Sequence, residues 1–188
     1  MLRKLIKHGV WHKEDGVTTT GIRPLTPAQI EGPYWKPLSP ERSRLREADT
    51  KGEPLVLTGT VYNQNGKPVE GAWLDFWHCD GAAFYDNKGY RLRGHQFTGA
   101  DGRFRLETVV PSEYDDNLTT PDGITSKVYR TSHIHVKVKG PERTTLTTQL
   151  YFPGAGGNSR DAYCEEGLLI EIEETPEGKA GHFDFVVR

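Results

Sequence analysis

Residues 132–139 read Ser-His-Ile-His-Val-Lys-Val-Lys, in which polar and apolar side chains alternate from His133 onward. Successive side chains of a strand point to opposite faces, so Ile134, Val136 and Val138 make one apolar row and His133, His135, Lys137 and Lys139 make the other. The apolar row demands a core, and the lysine end of the polar row demands water. His133 and His135 share one face at a separation of about 6.6 Å, so both imidazoles can reach one metal ion through bonds of roughly 2 Å. The pair therefore sits on the polar side of a half-buried strand, near a rim, and needs loops or an arm to cover it.

Working outward, the same strand chemistry recurs at 55–62, 72–78, 103–110, 146–152, 168–172 and 182–187, with turn signals such as Asn63-Gln-Asn-Gly66 and Asp101-Gly102 between. Short strands at this spacing, with no amphipathic helix and no internal repeat, predict an all-β chain folded as an antiparallel β-sandwich. Residues 51–188 are read as the sandwich. Residues 1–50 carry Pro24, Pro27, Pro33, Pro37 and Pro40, which excludes a long helix or central strand there. They are read as an extended N-terminal arm covering the rim where the histidine strand turns polar. Two connections, 79–102 and 111–131, exceed the usual hairpin length of about 2–5 residues. Both carry tyrosines, Tyr85 and Tyr90 in the first, Tyr114 and Tyr129 in the second.

Composition narrows the function. The 188 residues include 24 basic and 26 acidic side chains for a net charge of -2, with a sequence pI near 6.4 and a mean hydropathy of -0.66. This balance gives no electrostatic case for nucleic acid or an anionic membrane. No apolar stretch approaches the ~18–20 residues of a membrane span. The basic start, residues 1–8, lacks the apolar region of a secretory signal, so a cytoplasmic location is expected. Cys79 and Cys164 are too few for a disulfide framework and are read as two unpaired thiols. The phosphate-binding loops GxGxxG and GxxxxGK[ST] are absent, as is the GxSxG elbow.

Two histidines do not complete a metal site, and the missing ligands decide the chemistry. A carboxylate from Glu113, Asp115 or Asp116 would give the iron(II) triad of two histidines and one carboxylate. Cysteines would suggest zinc or copper. Tyrosines, with a reference pKa near ~10, ligate as tyrosinate only to a strongly acidic cation, which favours Fe(III).

At this point several motifs resemble the intradiol ring-cleavage dioxygenases, whose members act on catechol, hydroxyquinol and protocatechuate. They are TPAQIEGPY at 26–34, GKPVEGA at 66–72, LDFWH at 74–78 with Tyr85 beyond it, TGADGRF at 98–104, and VVPSEY at 109–114. RTSHIH at 130–135, TQLYFPG at 148–154 and FDFVV at 183–187 complete the set. The GxPVxGA and DGxFxL pieces also occur in transthyretin-like binding sandwiches. The joint placement of Tyr85, Tyr114, Arg130, His133, His135 and Gln149 is the specific signal. The resemblance implies a non-haem Fe(III) held by Tyr85, Tyr114, His133 and His135 with a solvent hydroxide. It also implies cleavage of a catechol-type diol by O2 between its hydroxyls to a cis,cis-muconate. Tyr114 would serve as ligand and base, Arg130 would stabilise charge on the ring, and Gln149 would orient nearby groups. Pro33, Tyr34 and Trp77 would line the substrate pocket. Tyr129, four residues before His133, is a rival fourth ligand. The competing readings are a non-catalytic transthyretin-like module and an Fe(II) extradiol dioxygenase. The chain resembles a short form without the helical dimerisation region that catechol and hydroxyquinol enzymes carry. Its assembly is left open, including a homo-oligomer in which the arm packs on a neighbour.

Overall fold

The structure is a computed structural model that describes residues 22–119, 122–123, 125–141 and 144–188. The basic start of the chain, and the first part of the 1–50 arm, lie outside the described residues. The described residues form two packed sheets and a separate hairpin. One sheet is a four-stranded antiparallel array in the order β3 (Arg93–Phe97), β2 (Trp73–Trp77), β7 (His133–Lys139), β8 (Leu146–Tyr151). The other is centred on β1 (Pro54–Asn63), with β4 (Arg103–Val109) along one edge. Its opposite edge carries β10 (Gly178–His182) and β11 (Phe185–Val187), with β9 (Glu171–Thr175) outermost. A two-stranded hairpin, β5 (Tyr114–Thr119) and β6 (Thr125–Arg130), stands apart from both.

The alternation in residues 132–139 has the predicted effect. Ile134, Val136 and Val138 are fully buried and meet Leu74, Phe76 and Leu150 from their own sheet. Leu55, Leu57, Leu106, Phe104 and Phe185 close the core from the facing sheet. Each such side chain contributes about 1.5–3 kcal/mol when removed from water.

The final strands depart from a purely antiparallel sandwich. β10 and β11 both run parallel to β1, and they hold one register: Leu55 faces Lys179 and Val61 faces Phe185. They are a single edge interrupted at Phe183-Asp184. There the Asp184 carboxylate accepts the Thr60 N–H at 2.8 Å, and the Phe183 N–H donates to the Thr58 carbonyl at 3.0 Å. Gly59 makes room for this interruption, because a Cβ there would lie 1.8 Å from the Phe183 carbonyl oxygen.

Three elements escape a reading by hydrophobic pattern. Strand β3 lies inside the connection read as a loop. Its Arg93 and His95 point away from the core and bind other chain segments, so the expected apolar-polar contrast is missing. The β5–β6 hairpin pairs with neither sheet and sends no apolar row into the core between them, so polar residues occupy both its faces. Residues 166–168 form a 3₁₀ turn, so the strand expected from Leu168 begins at Glu171 instead. Among the described residues no helix is long and apolar enough to cross a membrane.

The arm lies along three exposed strand edges. Gln29 N–H donates to Thr147 on β8, Arg42 N–H and His95 N–H exchange bonds across β3, and Leu45 N–H and Glu107 N–H do the same across β4. Open strand edges invite pairing with other chains, and the arm occupies these. Leu45, fully buried, anchors its far end in the core.

Two measurements check this packing. Gly59→Ala should lower unfolding stability by about 2–4 kcal/mol in chemical denaturation, since the Cβ collides with rigid backbone. His78 is fully buried, with one ring nitrogen on the Cys79 carbonyl (2.7 Å) and the other on Thr108 Oγ1 (2.6 Å). Burial pushes its pKa down from 6.5 to about 4. The unfolded chain then binds a proton that the folded one refuses. The stability this contributes is present above pH 6.5 and falls away as pH drops toward 4. The protein should lose thermal stability across that window, and His78→Gln should make the loss shallower.

Candidate metal centre

The outer face of the four-stranded sheet is a grid of side chains set by register. Trp77, His135 and Gln149 form one row, and His133 with Tyr151 begins the next. Both histidines are 1% exposed, so the polar face has been covered. The Trp77 ring stacks on His135 at 4.8 Å and 9°. Gly32, at φ 71°, turns the arm directly over His135, and a Cβ there would sit 3.3 Å from His135 Cε1. Tyr34 then stacks on Tyr85 at 4.3 Å. Pro33 lies between them and is exposed.

Tyr85 comes from the β2–β3 connection, which its own acids hold in shape. Asp80 accepts the N–H groups of Ala82 and Phe84, and Asp86 accepts those of Lys88, Gly89 and Arg91. Arg93, 2% exposed, ties this loop to the arm. Its guanidinium donates to the Asp86 carbonyl, to Asn87 Oδ1 and to the Tyr34 carbonyl. Tyr114 opens β5 and faces Arg130 across the hairpin.

These elements bring four donor atoms together. The Tyr85 and Tyr114 hydroxyls are 3.3 Å apart, Tyr114 Oη is 3.5 Å from His133 Nε2, and His133 Nε2 is 3.1 Å from His135 Nε2. The His133 Nδ1–H donates to the Thr131 carbonyl at 2.6 Å, which leaves the Nε2 lone pair free. Burial pushes His133 down to about 3 and His135 well below its ordinary value, so both imidazoles are neutral. Burial likewise raises both phenols, Tyr85 strongly. A cluster of two neutral imidazoles and two phenols fits a highly charged cation, which would draw the phenolic protons off. Among the described residues His135 Nδ1 and Trp77 Nε1 are buried with no hydrogen-bond partner.

The rival donors lie elsewhere. Tyr129 points away from the cluster, bonds Glu113 and lies under the Arg160 guanidinium. Asp115 pairs with Lys127 at 2.9 Å, and Asp116 accepts from Tyr34 at 3.1 Å. Among the described residues no three His, Cys, Asp or Glu side chains gather to hold a metal, so the triad of two histidines and one carboxylate is not formed. Cys79 packs beside Trp77 and Tyr85 with its thiol pushed up to about 12 by burial, and Cys164 is also unpaired.

Arg130 and Gln149 sit beside this cluster as a linked pair. Arg130 Nε bonds Asp161 at 3.1 Å, and its terminal nitrogen bonds Gln149 Oε1. Gln149 Nε2 in turn donates to the Ile30 carbonyl of the arm at 2.8 Å. Burial works most strongly against the Arg130 charge, but Asp161, Tyr151 and Tyr114 together outweigh it and hold the group above its ordinary value. Asp161 went unnoticed in the sequence because nothing in Asn158-Ser-Arg-Asp161 distinguishes it from a loop acid. Asp75 carried a signal: it is a carboxylate in the middle of an apolar strand, on the same face as Trp73 and Trp77. It binds Ser39 at 2.7 Å and Trp35 Nε1 at 3.0 Å, fastening the arm. The Arg130–Asp161 pair is almost fully buried, so removing one partner strands a charge. Asp161→Asn should cost about 3–5 kcal/mol by denaturation, and an Arg130→Met, Asp161→Asn double variant should cost less than the two singles added. A cost below about 0.5 kcal/mol for Asp161→Asn, the level of an ordinary surface change, would show that the pair is not buried.

The family model described as Dioxygenase matches residues 30–171. The chain is 38% identical over 179 residues to a chlorocatechol 1,2-dioxygenase of Cupriavidus pinatubonensis, covering 86% of this chain and 69% of that protein. It is 29% identical to a catechol 1,2-dioxygenase of Acinetobacter baylyi, of which it spans 57%. Among solved structures it is similar to the dioxygenase domain of a dioxygenase carbohydrate-binding protein fusion from Streptomyces sp. SirexAA-E. That similarity has 46% identity and a TM-score of 0.76, over 87% of this chain and 98% of that one. With three-quarters of its length under one family model and its strands superposing on solved members, the chain belongs to the intradiol ring-cleavage dioxygenase family.

Proposed function

We propose that the protein is a non-haem Fe(III) dioxygenase that cleaves a catechol-type diol between its two hydroxyl-bearing carbons to a cis,cis-muconate. Both atoms of O2 end in the new carboxylates. The observation that carries the reading is the convergence of Tyr85, Tyr114, His133 and His135 within 3.1–3.5 Å of one another along the cluster, in a family that depends on non-haem iron. These four residues would hold the ion. When bound, Fe(III) supplies the Lewis acidity that ionises phenols and draws electron density from the diol.

The chain's own residues do the rest. Tyr114 sits at the start of the hairpin, outside both sheets, and burial raises its phenol above the ordinary value. Its phenolate oxygen is placed to accept a proton from a substrate hydroxyl. Arg130, locked by Asp161 and Gln149, presents a fixed positive charge to the ring as negative charge builds there. A preorganised donor of this kind is worth about 2.7–4 kcal/mol. Gln149 orients that guanidinium and ties it to the arm. Pro33, Tyr34 and Trp77 form the walls against which a flat ring packs, and the arm excludes water from the reaction.

The iron-loaded protein should consume one O2 per catechol and yield a muconate, followed by oxygen uptake and ultraviolet absorbance. His133→Ala should lose the metal. Tyr114→Phe should keep iron but change colour and slow turnover by about 10²-fold or more. A preparation that stays inactive after iron loading contradicts the proposal, and full iron in His133→Ala contradicts the ligand assignment.

A further inference from the structure

We propose that Asp116 sets the charge preference of the substrate pocket, disfavouring diols that carry a ring carboxylate and favouring those with neutral or cationic substituents. The inference rests on the dioxygenase reading above and adds the substrate class to it.

Strand alternation places Asp116 on the same side of β5 as Tyr114, while Asp115 and Asn117 are exposed on the other. The Asp116 carboxylate is held there by two donors on one oxygen, the Tyr34 hydroxyl at 3.1 Å and the Asn117 N–H at 2.8 Å. Tyr34 in turn lies stacked on Tyr85. The carboxylate is therefore fixed beside the donor cluster, two residues along the strand from Tyr114 and joined through Tyr34 to Tyr85. Its charge is felt at both neighbours: after burial, Asp116 adds to what raises Tyr34 and Tyr114.

Charge accounting gives this residue its consequence. Arg130 keeps its positive charge and is ion-paired with Asp161 within the same site. Among the described residues no cation pairs with Asp116, whereas its neighbour Asp115 has Lys127. The Asp116 carboxylate on the hairpin thus carries a negative charge with no ion-pair partner of its own among the described residues. A ring carboxylate brought to within about 10 Å of it, in surroundings between protein and water, binds about fivefold more weakly than an uncharged counterpart. Asp116 is half-buried, so the penalty shrinks as salt rises.

The test compares iron-loaded wild type, Asp116→Asn and Asp116→Lys on catechol and protocatechuate. It reads kcat/KM from oxygen uptake and dissociation constants from anaerobic titration of tryptophan fluorescence. The catechol-to-protocatechuate ratio should fall about fivefold in Asp116→Asn and further in Asp116→Lys. Added salt should lower the ratio in wild type and leave it nearly constant in Asp116→Asn. A wild type that cleaves catechol while both variants keep its ratio within about twofold, in turnover and in binding, overturns this inference alone. A wild type that cleaves neither diol overturns the dioxygenase reading and this inference with it.

Discussion

A β-strand with one apolar face and one face bearing two histidines imposes a constraint that the rest of this molecule answers. Strand β7 sends Ile134, Val136 and Val138 into the core and His133 and His135 to the outside. Yet the outside cannot be left open: both imidazoles are nearly inaccessible and neutral. The second face of the sheet is therefore packed almost as tightly as the first, but by polar and aromatic groups from the arm, the β2–β3 connection and the β5–β6 hairpin. The one strand that anchors the core also fixes the position of the two nitrogens to within the precision of the sheet.

The arm is held by polar ties where a core strand would use apolar contact. Asp75 takes Ser39 and Trp35, Gln149 takes Ile30, and Arg93 takes the Tyr34 carbonyl. Buried polar groups are costly when unpaired, so each tie specifies a position as well as stabilising it. Arg93 joins the arm to the loop that carries Tyr85, and the Arg130–Gln149 pair joins the hairpin to the arm. The parts that supply the donor atoms are thus fastened to one another as well as to the sheet.

Much of this is visible in the chain before folding. The strand pattern at 132–139 places the histidine pair, the two long tyrosine-bearing connections stand out by length, and the family motifs single out Tyr85, Tyr114, Arg130 and Gln149. What the pattern misses has a physical cause in each case. β3 hides because its outward residues bind the arm instead of water, and the β5–β6 hairpin hides because neither of its faces meets the core. Asp161 hides because an acid in a polar loop acquires meaning only when a buried guanidinium lies beside it. Tyr129 stays a rival to Tyr114 on spacing alone. The hairpin register separates them, since Arg130 faces Tyr114 and Tyr129 falls on the opposite side with Glu113.

The proposed chemistry requires two phenols and two imidazoles to serve one iron. Resonance Raman spectroscopy of the iron-loaded protein, excited in its visible band, reads the phenols directly. Enhanced tyrosinate ring modes are expected from two inequivalent residues, one set vanishing in Tyr85→Phe and the other in Tyr114→Phe. An iron-containing protein whose visible spectrum shows no tyrosinate modes would contradict that chemistry.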